Sequence, residues 1–202
     1  MFYETETNDH GMRHDPFKAI VAPRPIGWIG TKGRDGSINL SPYSFFNIVS
    51  DNPKIVMFSS SGRKDSLRNA EETGVFTASL ASRDLADQVN ASSASVPYGI
   101  DEFSIAGLQA KFGELVDAPF VEAALAALEC RVTEIVQPKT LGGEVADSHM
   151  VFGQVVGIHI SETVIRDGRI DMRRLRPIAR MGYRDYSDGG SDVFELTRPS
   201  VP

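Results

Sequence analysis

Cysteine is almost missing from this chain: 202 residues hold one, Cys130. A lone thiol excludes an intrachain disulfide framework and a cysteine-ligated iron–sulfur cluster. Histidine is also scarce, with four residues. His10 and His14 have the i, i+4 spacing of a helical metal pair, but Gly11 and Pro16 spoil that helix. No third ligand stands near them, and zinc sites need three or four, so no metal is expected. Basic excess is missing too. Lys and Arg number 21 against 27 Asp and Glu, for a net charge of -6. That balance disfavours non-specific binding to nucleic acid or anionic lipid. No run approaches the roughly 20 apolar residues of a membrane span. The opening MFYETETNDHGMRHDP is acidic and polar, unlike a signal peptide, so the cytoplasm is the expected compartment. There is no G-x-G-x-x-G after a strand, no P-loop spacing and no G-x-S-x-G elbow. Rossmann, P-loop and hydrolase readings therefore have no support.

What is present is an ordinary globular composition, 41% hydrophobic and 24% charged. The length suits one domain with a sizeable core. Residues 1–15 and 187–202 are polar or rich in Ser, Asp, Gly and Pro, and read as flexible ends around a 16–186 domain. Within it the pattern is mostly β. Ile26–Thr31 and Ser37–Leu40 flank a Gly- and Asp-containing hairpin turn. Lys54–Ser59, Val75–Leu80, Leu128–Val136 and Met150–Ile160 read as strands, with Gly153 and Gly157 as bulges or close-approach points. Val164-Ile165 and Arg169-Ile170 form a second hairpin signal. Asp65–Thr73, stopped by Gly74, reads as a helix; Arg83–Ala91 and Pro119–Ala127 are further helical segments. Short strands at near-regular spacing with few helices indicate a β-barrel or sandwich.

Two segments carry candidate chemistry. Asn39–Phe46 is dense in small hydroxyls, amides and aromatics, which suits a flat ligand with polar edges better than a core. Trp28, Tyr43, Phe45 and Phe46 could line such a pocket or pack inside, and burial is the commoner fate of Trp28. Ser59-Ser60-Ser61-Gly62-Arg63-Lys64-Asp65 links a strand to a helix. Its hydroxyls, cations and helix N-terminus suit a phosphate; the alternative is a solvated loop with Ser or Asp as N-cap. His149 and His159 are an even number apart, so a regular strand puts them on one face, roughly 33 Å apart and unable to share a metal. His149, at the strand start, is the one placed to face a site; His159 and Cys130 read as structural.

These segments, taken in order, resemble the flavin-reductase-like branch of the FMN-binding split-barrel family, near flavoredoxins and ferric reductases. The likeness rests on PRPIGWIGT, GSINLSPYSFFN, the S-x-x-R-K-D-x-x-x-N run from Ser60 to Asn69 and the T-G-x-F step from Thr73 to Phe76. It continues through D-E-F at Asp101, L-E-C at Leu128, H-x-x-F-G-x-V-V from His149, D-G-R-I-D from Asp167 and P-I-A-R-x-G-Y-x-x-Y from Pro177. The resemblance implies a mainly β, six-stranded split barrel of Greek-key character with flanking helices, working as a homodimer. It implies an oxidoreductase that binds FMN and takes hydride from NADH or NADPH. Electrons would pass to free flavin, a metal or a partner such as a monooxygenase. A flavoredoxin-like carrier without direct nicotinamide oxidation is the alternative.

By the same resemblance, Asn39, Leu40, Ser41, Tyr43 and Ser44 meet the flavin ring. Ser59, Ser60, Ser61, Arg63 and Lys64 hold ribityl and phosphate groups. Trp28, Thr31 and Arg180 complete the expected cofactor contacts, and His149 is the expected catalytic residue. The chain departs from the family pattern twice. Asp147-Ser148 replaces a common Gly-Asp before His149, and Gly182-Tyr183 replaces a common Gly-Gly, with Tyr183 placed to alter access to the pocket.

Overall fold

The computed structural model describes residues 1–200; Val201 and Pro202, the end of the expected C-terminal tail, lie outside the described residues. One antiparallel sheet dominates. Its strands are β1 (Gly27–Lys32), β2 (Ile38–Tyr43), β3 (Phe46–Asp51), β4 (Lys54–Ser61), β5 (Val75–Leu80), β6 (Ala126–Val136) and β7 (Ser148–Ile160). Their order across the sheet is β2-β1-β5-β6-β7-β4-β3. The sheet therefore has seven strands rather than the six expected. The unexpected one is the edge strand β3, in which Ile48 and Val49 are both exposed, so no period-two burial marks it in the sequence.

β2 and β3 lie at opposite edges of this sheet, yet only Ser44 and Phe45 separate them. Three Cα–Cα steps reach at most roughly 11 Å. The sheet must therefore curl until its edges nearly meet, giving a split barrel. Across the split the Tyr43 and Phe58 rings lie 4.9 Å apart, while the Ser59 N–H, donating to the Phe45 carbonyl at 2.8 Å, extends the β3–β4 ladder into the link.

Apolar side chains fill the curl: Ile29, Val56, Phe58, Phe76, Cys130 and Val151, with Leu67 and Ala70 from helix α2 (Asp65–Thr73) plugging it. Gly74 ends α2 in the left-handed region at φ 73°, where glycine carries no Cβ penalty. Burial pushes the Cys130 thiol pKa well up, so this cysteine is a packing group. A Cβ on Gly153 would lie 2.4 Å from the Phe76 ring, which explains the glycine in the middle of β7. On the outer face a second core gathers Trp28, Leu40, Val89, Phe103, Leu108 and Val121. It joins the sheet to the 81–125 segment.

Three expectations are corrected. Pro119–Ala127 is not a helix: Pro119–Val121 pairs with Ala110–Phe112, and β6 already begins at Ala126. Phe120 and Val121 are buried, so sheet contacts override the helical leaning of the alanines. His149 and His159 do not share a face. In β7, Val155 opposes Cys130 but Gly157 opposes Glu129, so Val156 is an extra residue that reverses the alternation. Regular structure also runs past residue 186: Tyr186–Asp188 pairs with Ile178–Arg180, and Asp188 accepts from Arg176 at 2.8 Å.

That reversal places His159 against Glu129, with Nε2 and Oε1 2.6 Å apart, and stacks it on Phe120. The buried Glu129 carboxylate also accepts the backbone N–H groups of Glu114, Leu115 and Val116. Burial alone would raise its pKa; these donors and His159 outweigh it, and the net direction is down. Glu129 thus stabilises the fold above the ordinary carboxyl range, and that contribution fades as pH falls through its lowered native value. Glu129→Gln should cost about 1–3 kcal/mol by urea denaturation at pH 7, since charge-assisted bonds to buried donors are lost. The gap between mutant and parent should narrow in acid.

Candidate functional site

The Ser44-Phe45 link lies where clefts converge. One of about 450 Å³ is lined by His14, Phe17, Lys18, Phe45, Arg180 and Tyr183 among others. A second, of about 510 Å³, contains Pro42, Asn90, Arg180, Arg184 and Tyr186. A third, of about 670 Å³, runs along Phe45, Phe46, Met57, Ser59 and Met150. Ser44 lines all three.

Behind the link sits a buried polar patch. Asn39, Ser41 and Tyr43 alternate along β2, so they share one side of it. The Ser66 hydroxyl of α2 donates to Asn39 Oδ1 at 3.2 Å, and Asn69 Nδ2 donates to Thr31 Oγ1 at 3.1 Å. The Tyr43 hydroxyl lies beside Ser66, Ser60 and Ser41, and burial pushes its pKa up. His149 pairs with Ser60 across β7 and β4. Four polar atoms here have no hydrogen-bond partner among the described residues: Asn39 Nδ2, Tyr43 Oη, Asn69 Oδ1 and His149 Nδ1. Each such buried group ordinarily costs about 1–3 kcal/mol, so a cluster of them is unusual in a finished core.

The end of β4, with Ser59, Ser60 and Ser61, and the short 62–64 loop join this patch to α2. Ser60 is buried and donates to the Gly62 carbonyl at 3.1 Å; Ser59 is half-buried and Ser61 exposed. The N-cap position of α2 is Lys64, in extended conformation and with no side-chain cap bond. Neither Ser nor Asp caps this helix. Its first-turn N–H groups and its positive dipole end are left to an outside acceptor. Arg63 reaches Glu71 at 2.5 Å, while the Asp65 carboxylate accepts the Gly99 N–H at 3.3 Å.

The structure thus brings together Asn39, Ser41, Tyr43 and Ser60, with His149 behind them, Ser59 and Ser61 at the end of β4, and Arg63 and Lys64 on the adjoining loop. Thr31 is fully buried and reaches the patch through Asn69. Ser44 and Arg180 stand at the clefts. Trp28 and Leu40 belong elsewhere: both are fully buried in the outer core. Trp28 Nε1 donates to Ser92 Oγ at 2.8 Å, and the Leu40 N–H goes to the Glu102 carboxylate at 3.0 Å. Burial pushes the Glu102 pKa up.

Residue reading alone did not single out Ser66 and Asn69 as site groups. Their signal was available, since i, i+3 spacing puts both on one face of α2. It also missed Arg24, a buried guanidinium that donates to the carbonyls of Lys18, Val21 and Met181 and so ties the 16–21 turn to the C-terminal strands. Among the described residues no group of three or more His, Cys, Asp or Glu could hold a metal ion, and no helix is long and apolar enough to cross a membrane.

Comparison with known proteins places this geometry. A curated relative from Deinococcus radiodurans, itself uncharacterised, is 36% identical over 198 residues, covering 92% of this chain and 84% of its own. The crystal structure of nitrilotriacetate monooxygenase component B from Bacillus cereus aligns with a TM-score of 0.87 at 27% identity, covering 97% of this chain and 98% of that one. Flavoredoxin of Desulfovibrio vulgaris (Miyazaki F) aligns with a TM-score of 0.73 at 24% identity, covering 89% and 91%, a likeness of fold. Residues 21–176 match the flavin reductase like domain, and the chain belongs to that family of split-barrel flavoproteins.

Proposed function

We propose that this protein is an FMN-dependent oxidoreductase that accepts hydride from NADH or NADPH and passes electrons to free flavin, a metal or a partner protein. One observation carries the reading: a helix N-terminus without a side-chain cap adjoins buried polar atoms that lack partners. FMN offers both complements, a phosphate for the helix end and a polyol and heterocycle edge for the orphaned atoms. Helix N-termini and flanking cations bind phosphate through free N–H groups and charge-assisted bonds. Ser59, Ser61 and Lys64 would hold it, with Arg63 joining by exchanging Glu71.

Bound flavin supplies the hydride acceptance and electron release, so no acid–base triad is required of the protein. The chain's own task is to bind, orient and exclude water. Asn39 and Tyr43 would donate to the flavin. His149, its Nδ1 unpaired, would orient the nicotinamide. Homodimer formation belongs to the same proposal: Ile20, Ile48 and Val49 are all exposed, and such apolar surface favours a partner.

The direct test mixes FMN-loaded protein with NADH and then NADPH without oxygen while the blue flavin absorption is followed. Rapid bleaching is expected, and the faster nucleotide names the donor. Bleaching by dithionite alone would assign the protein to the carrier class instead. His149→Ala should slow that bleaching while FMN affinity stays nearly intact. Tyr43→Phe removes an unpaired buried hydroxyl, so ligand-free stability should hold within about 0.5 kcal/mol or rise. FMN affinity should nevertheless fall about tenfold, near 1.4 kcal/mol, by calorimetric titration.

A further inference from the structure

The cleft beside His14 and Tyr183 has walls that the flavin reading does not use. Three benzene rings and an imidazole line it, from Phe17, Phe45, Tyr183 and His14. The His14 and Tyr183 centroids are 5.6 Å apart. Its charged lining is Lys18, Arg24 and Arg180 against the single carboxylate of Asp15, whose Oδ1 already accepts the Phe17 N–H at 2.8 Å. This is a cationic spot on a chain of net charge -6.

Tyr183 is held there at a conformational cost. Its φ is 56°, in the left-handed region that bulky side chains avoid. A residue so held costs on the order of 1–3 kcal/mol unless its surroundings impose the conformation. The turn is fixed from both sides. The Asp185 N–H donates to the Gly182 carbonyl at 2.9 Å, and the Met181 N–H donates to the Asp185 carbonyl at 2.9 Å. A Cβ on Gly182 would stand 2.6 Å from Ala19 Cβ, so the turn packs directly on the Phe17–Ile20 helix, α1. The Arg180 guanidinium donates to the Tyr183 carbonyl and the Tyr186 hydroxyl. Glycine would hold this φ without strain. A strained tyrosine on a cleft wall therefore points to a role for its ring.

We infer that this cleft is a subsite for a small planar aromatic carboxylate. The ring lies among Phe17, Phe45 and Tyr183, and the carboxylate is met by Arg180 and Lys18. A volume of about 450 Å³ holds a substituted benzoate. Aromatic walls favour a flat ring through edge and stacking contacts. Arg180 keeps unused N–H donors in a planar fork, which matches a carboxylate better than a neutral group. Lys18 adds a second cation with no ion-pair partner among the described residues. The inference goes beyond the flavin reading and does not need it; Arg180, expected from the resemblance to contact the cofactor, is assigned here to the carboxylate.

The test is calorimetric titration of the full chain, with and without FMN, using benzoate, benzyl alcohol and cyclohexanecarboxylate as probes. Benzoate should bind in both states; benzyl alcohol should be weaker by about tenfold or more, the usual scale of a lost charge-assisted bond, and cyclohexanecarboxylate, which keeps the charge but not the flat ring, weaker by about threefold or more. Tyr183→Gly should weaken benzoate by about fivefold or more with the melting temperature equal or higher, since glycine relieves the strain. Tyr183→Phe should retain benzoate. Equal binding of benzyl alcohol, no benzoate binding, no effect of Tyr183→Gly, or loss of benzoate on FMN loading would each overturn the subsite. FMN binding measured on the same samples separates the claims: FMN without benzoate removes the subsite alone, and benzoate without FMN removes the flavin reading alone.

Discussion

A two-residue link between opposite edges of a seven-stranded sheet is the constraint on which this molecule depends. Ser44 and Phe45 cannot span a flat sheet, so the sheet closes on itself. Closure brings Tyr43 onto Phe58. It leaves a split rather than a continuous ladder, and the clefts open along that split. The curl also creates an interior, which α2 fills with Leu67 and Ala70. Site and fold thus have one origin.

The interior is not uniformly apolar. Where α2 enters, Asn39, Tyr43, Ser60 and Ser66 replace aliphatic side chains, and Asn39 Nδ2 and Tyr43 Oη go unpaired among the described residues. A core built only for stability would not carry that cost beside an uncapped helix end. Both defects are explained together if a phosphate-bearing ligand with polar edges completes them. The stabilising contacts lie elsewhere, as at Glu129, which is saturated with donors on the far face of β6. The sheet is thus satisfied on one side and left open on the other.

Much of this was legible in the residues. Turn chemistry marked both hairpins, with Gly36 and Asp167-Gly168 at positive φ as their turns require. Gly74 marked the end of α2. The hydroxyl- and amide-rich β2 reads as poor core material by composition, yet Asn39, Leu40 and Tyr43 are all buried, because both faces of the strand are covered once the barrel closes. What could not be read depends on partners distant in sequence. The extra residue at Val156 turns His159 away from His149, and only pairing with β6 reveals it. Trp28 sits three residues from Thr31 yet serves the outer core, since Ser92 lies 64 positions away and is what fixes the indole. Ser66 meets Asn39 only after the barrel closes.

The central claim is that the uncapped end of α2 and the patch beneath it form one flavin phosphate site. Calorimetric titration of the ligand-free protein with FMN and with riboflavin tests it most directly, because the two differ only by the phosphate. The account predicts that FMN binds about a hundredfold or more tighter than riboflavin, in keeping with several charge-assisted bonds. Equal affinities, or no binding of either, would contradict it.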